Sequence, residues 1–69
     1  MTVYRVTELI GTSPTGWEDA AKEALTMAAG SLRDLRVAEV ITQDIALGPD
    51  GKIEAYRTKL RVSFKYERE

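Results

Sequence analysis

A 69-residue chain with ten basic and eleven acidic residues, a formal net charge of −1 and 43% hydrophobic residues has no broad basic field for nucleic acid. It contains neither cysteine nor histidine, which excludes disulfides, zinc sites of those ligands and most covalent or general-base catalysis. Folding hides only about 60% of the surface an unfolded chain of this length exposes, so subunit association is the expected support.

The chain starts MTVYRVTELI, with Arg5 and Glu8 set inside the apolar pattern. Without a continuous apolar run it is expected to be neither signal peptide nor membrane anchor, and a cytoplasmic protein with no membrane partner is the reading. Residues 3–10 alternate as a first strand bounded by Gly11. The period then changes. Trp17, Ala20, Ala21, Ala24, Leu25, Ala28 and Leu32 fall on one helical stripe, with Glu18, Asp19, Lys22 and Glu23 on the opposite face. Ser13 can cap this helix with Pro14 at its first position, or Thr15 and Glu18 can form a capping box.

Gly30 weakens or ends the helix, and residues 36–47 form a second strand. LGPDGK reads as a hairpin turn, with Pro49 suited to its second position and Gly51 to positive φ. Residues 53–66 form the third strand. Pairing positions whose numbers add up to 100 sets Val40 against Leu60, Ala38 against Val62, Glu39 against Arg61, Ile41 against Lys59 and Gln43 against Arg57. The result is an α+β fold in one domain, residues 1–69: β-α-β-β, with a three-stranded antiparallel sheet in order 1-3-2 and one helix across it. The helix is expected over Val40, Leu60, Val62 and Phe64. No second helix covers Val37, Ile41, Ile45 and Leu47, and a homo-oligomer is expected to do so.

Chemistry-bearing motifs are few. PDGKIE places Asp50 and Glu54 around a glycine but falls short of a calcium loop. Trp17 fits packing in the core or between subunits better than ring stacking on a ligand. Arg57, Lys59, Arg61 and Lys65 form a basic stripe that either pairs with acids across the strands or recognises an anion. Asp44 falls on the helix-side parity, facing Tyr56, as a solvated or tyrosine-paired carboxylate or as a cation ligand.

Y-R-V in the first strand, GTSP before the helix, AEV in the second strand and KLRVSFKY in the third together resemble the dodecin family over essentially the whole length. The resemblance implies subunits whose sheet wraps one helix, assembled as a hollow homododecamer. Flavin-binding dodecins stack the isoalloxazine on a tryptophan just before the AEV-like stretch and hydrogen-bond it through a glutamine of the third strand. Those positions fall on Val37 and Arg57. Losing a stacking ring removes about 1–3 kcal/mol, and arginine has donors only.

GTSPTGWE, RVAEVI and RVSFKY look closest to the flavin-free calcium dodecins. That likeness implies a non-enzymatic protein that binds or buffers calcium, or another divalent cation, where subunits meet. Asp44 is the leading ligand candidate, followed by Glu8, Glu39 and Glu54. The alternatives are a flavin (FMN or riboflavin) storage dodecin and a ligand-free scaffold.

Overall fold

The computed structural model describes residues 2–65. Strand β1 (Tyr4–Ser13), helix α1 (Trp17–Ala29), strand β2 (Leu35–Leu47) and strand β3 (Ile53–Lys65) follow in that order. The three strands form one antiparallel sheet in order β1-β3-β2, as the alternation requires. Position 66, the last of the expected third strand, lies outside the described residues.

β1 does not stop at Gly11. It continues to Ser13, with Gly11 paired to Thr58 and Ser13 to Tyr56. The glycine is there for the helix: a Cβ on Gly11 would lie 2.0 Å from the Ala20 carbonyl oxygen and 2.9 Å from the Ala24 Cβ. Ala20, Ala24 and Ala28 are the buried residues of α1, so a stripe of methyl groups slides onto a strand that has dropped its own side chain. The helix also starts later than Pro14, with Gly16 at the cap in an extended conformation. Ser13 is held in the strand, where its hydroxyl accepts the Thr15 amide at 3.1 Å. The Thr15 hydroxyl in turn donates to Asp19, and Glu18 and Asp19 place negative charge in the first turn, where the helix dipole favours it.

The hairpin forms as the turn residues dictate. Gly51 N–H donates to Gly48 carbonyl at 2.9 Å across Pro49 and Asp50, the Asp50 carboxylate accepts Lys52 N–H at 3.0 Å, and Gly51 has φ 79°.

The core is small. Its buried apolar residues are Ala20, Ala24, Ala28, Leu60 and Val62, flanked by half-buried Leu9, Ala21, Leu25, Leu32 and Leu35. Buried Thr58 satisfies its hydroxyl on the Trp17 carbonyl at 2.9 Å. Because α1 lies over β1 and β3, the expectation that it covers Val40 fails, and that side chain is 52% exposed. β2 therefore stands beyond the helix, and Val37, Val40, Ile45 and Leu47 along it are all exposed. The chain presents 5335 Å² of surface, against about 4,300 Å² for a compact monomer of its mass. Its radius of gyration is 14.2 Å, against about 11 Å for a compact chain of this length.

Gly11→Ala should displace the helix from β1 and lower stability by about 3 kcal/mol or more. Gly16→Ser, where a Cβ meets nothing within 4 Å, should change it by less than about 0.5 kcal/mol. Chemical denaturation of the two variants beside the parent checks the contrast.

Candidate functional site

Alternation along β3 sends Tyr56, Thr58, Leu60 and Val62 toward the helix and Arg57, Lys59 and Arg61 to the outer face of the sheet. Each of these cations sits in the central strand, so each has a neighbour on both sides. Arg61 lies between Glu8 and Glu39, Lys59 between Ile10 and Thr42, and Arg57 between Thr12 and Asp44.

Ion pairing follows the rows. Arg61 reaches Glu8 at 3.0 Å and Glu39 at 3.8 Å, and Lys59 reaches Glu8 at 3.4 Å. Arg57 grips Asp44 with two donors, Nε to Oδ1 at 2.6 Å and Nη2 to Oδ2 at 2.8 Å. Arg57, Lys59 and Arg61 of the basic stripe are thus matched by acids from the edge strands, while Lys65 sits opposite Tyr4. Hydrogen bonding from Arg57 holds the Asp44 carboxyl below its ordinary range, and the same bond raises Arg57. Glu8 is lowered first by the Arg61 hydrogen bond and then by the charge of Lys59.

The position of Asp44 corrects the register. From Val37 to Val40 the pairing is as expected, but it shifts between Val40 and Thr42. Ile41 is the extra residue of a β-bulge. Thr42 therefore opposes Lys59, Gln43 opposes Thr58, and Asp44 opposes Arg57 while Ile45 opposes Tyr56. This replaces the expected Ile41–Lys59 and Gln43–Arg57 pairs and moves Asp44 from the helix side, opposite Tyr56, to the outer face. The bulge is what lets a single strand offer Glu39 to Arg61 and Asp44 to Arg57.

Trp17 supplies a contact that spacing alone did not reveal. Its indole Nε1 donates to the Asp44 carbonyl at 3.0 Å, and its ring meets Tyr56 edge-on at 5.2 Å between centroids. The first turn of the helix thereby pins the β2 backbone at Asp44. The preference for Trp17 as a packing residue agrees with this position.

The remaining candidates are dispersed. Val37 is 59% exposed in a row with Ser63, and Ser63 pairs on its other side with Val6. Glu54 lines an open concavity at the hairpin with Asp50, remote in sequence and register from Glu8 and Glu39. Among the described residues, no three carboxylates of one chain gather closely enough to hold a metal ion.

Residues 3–67 match the model of the dodecin family. The calcium dodecin of Mycobacterium tuberculosis is 58% identical over 65 residues, covering 94% of this chain and 90% of that protein. A crystal structure of that calcium dodecin, described as a calcium-chelating immunodominant antigen with a novel calcium-binding site, superposes with a TM-score of 0.85 at 55% identity over 97% of this chain and 94% of the other. The dodecin of Streptomyces coelicolor gives a TM-score of 0.91 at 35% identity, over 99% of this chain and 96% of that one.

Asp44 and Glu8 both have lowered values in the folded chain. Their contribution to stability is therefore complete above the ordinary carboxylate range of about pH 4 and is lost as pH falls through the lowered values. The thermal midpoint should stay level from about pH 7 to 5 and fall below about pH 4. Asp44→Asn and Glu8→Gln should each flatten part of that acid limb, as read by circular dichroism melts across the pH series.

Proposed function

The chain belongs to the dodecin family, and from that premise we propose that it is a non-enzymatic homododecameric shell that binds or buffers calcium, or another divalent cation, where subunits meet. Flavin is not its ligand in this reading. The observation that carries it is the two-pronged Arg57–Asp44 pair. At the position where flavin-binding dodecins use a glutamine, the donors of Arg57 are turned onto a carboxylate. Val37 offers no ring where those dodecins stack the isoalloxazine.

The donor chemistry suits a hard cation. Calcium takes about six to eight oxygen ligands, and the outer face offers the carboxylates Asp44, Glu8 and Glu39, with Glu54 at the hairpin. Asp44 already holds a cationic group with both oxygens, the mode in which a carboxylate grips calcium. One chain supplies too few such groups together, so carboxylates from neighbouring copies would complete the set. The 58% identical relative that is named a calcium dodecin supports the same choice of ion.

Calorimetric titration of metal-stripped protein with calcium chloride should give saturable heat and a raised thermal midpoint, and added FMN should keep its fluorescence. Absence of heat and of stabilisation at millimolar calcium would overturn the cation reading. Quenching of FMN would restore a flavin store in its place.

A further inference from the structure

We infer that residues 42–46 of β2 form a sliding segment with two registers against β3, and that the contacts Trp17 and Arg57 make at Asp44 select the one observed. The two registers belong to the single chain and are independent of the ligand it holds.

Two compensating bulges bound the segment. On one side Glu39 opposes Arg61 and Val40 opposes Leu60, and on the other Leu47 opposes Ile53, all in one constant register. Between them Thr42–Lys59, Gln43–Thr58, Asp44–Arg57, Ile45–Tyr56 and Ala46–Ala55 are displaced by one residue. Ile41 is the extra residue on β2 and Glu54 the extra residue on β3. Because the extra residues lie on opposite strands, they cancel. Moving 42–46 by one step removes both bulges and leaves the flanking pairs where they are.

Little resists that step. A register is held firmly where one face of a strand is buried and loosely where neither is, and residues 42–45 are all exposed. β2 is an edge strand, and α1 packs on β1 and β3, so helix packing does not fix the segment. The choice is made at Asp44. Its carboxylate accepts two hydrogen bonds from Arg57, at 2.6 and 2.8 Å, and its carbonyl accepts the Trp17 indole N–H at 3.0 Å. Tyr56, edge-on to Trp17 at 5.2 Å, has Ile45 opposite it. In the straight register Gln43 opposes Arg57, Asp44 turns inward opposite Tyr56, and Ile41 and Ile45 join Val37 on the outer face. One step thus releases the Arg57 fork and exchanges the polar pair Thr42 and Asp44 for an apolar row on the same face.

NMR of the full chain, labelled at its Ile and Ala methyls and Tyr rings, tests the two registers. In the parent, Ile45 should contact the Tyr56 ring and Ala46 should contact Ala55. The straight register instead brings Ile45 against Ala55. Asp44→Asn loses the ion pair, and Trp17→Phe keeps a ring but loses the N–H. Each should move the ratio of registers about two- to fivefold toward the Ile45–Ala55 contact, and the double variant should move it further than either. Glu39→Gln, which alters an outer-face acid beyond the segment, should leave the ratio unchanged. A double variant that keeps Ile45 on Tyr56 and shows no Ile45–Ala55 contact would overturn the sliding register. An equal shift in Glu39→Gln would overturn the selecting role of Asp44. Should Trp17→Phe fail to fold by circular dichroism, Asp44→Asn decides, and an unchanged ratio there overturns the inference.

Discussion

Close approach of α1 to β1 governs the rest of the molecule. Gly11 gives up its side chain and Ala20, Ala24 and Ala28 offer only methyl groups, so the helix settles over β1 and β3 and stops there. A helix with larger residues on that stripe would stand farther from the sheet. The consequence is a core of five buried apolar residues among the described residues and a thirteen-residue β2 strand without a cover of its own. Val37, Val40, Ile45 and Leu47 on β2, with Val6 and Ile10 on β1, stay exposed. Each such side chain, once covered, contributes about 1 kcal/mol or more to association. The same seam that fixes the chain's own fold thus leaves these apolar side chains uncovered within one copy.

Charge is arranged on the outer face by a second constraint, the central place of β3. A cation on a central strand can be met from either edge, and Arg61 is met from both. Exposed pairs of this kind add little to stability singly, but they decide which groups remain available to a ligand. Arg57 and Asp44 satisfy each other, so neither presents a free fork or a free carboxylate. The sheet's register decides this pairing: without the bulge at Ile41, Gln43 would oppose Arg57 and Asp44 would face inward.

Much of this was legible in the residues. The alanine-rich stripe marked the buried face of the helix, Pro49 and Gly51 marked the hairpin, and the match of Val37 through Val40 with β3 fixed both strand order and the first half of the register. Other features were hidden for definable reasons. Gly11 reads as the end of a strand because a glycine normally weakens one, and only the Ala20 carbonyl above it explains why the strand runs through. Ser13 and Pro14 make a plausible helix start, but strand pairing claims Ser13 first. A constant register misplaces Thr42 through Ala46 and is restored only at Leu47, although the opposite charges of Asp44 and Arg57, one step out of line with Glu39 and Arg61, carry the signal of a bulge. Val37, Arg57 and Asp44 each stand out in the sequence, yet only the paired strands bring Asp44 to Arg57. A ligand set assembled from several copies leaves no spacing in one chain.

The central claim is that the apolar surface beyond the helix is covered by sister chains. Sedimentation velocity on the full chain at micromolar concentration tests it most directly. The account predicts one folded species with the mass of about twelve subunits, in keeping with a chain too short to bury its own apolar surface. A stable, fully folded solitary subunit under the same conditions would contradict it.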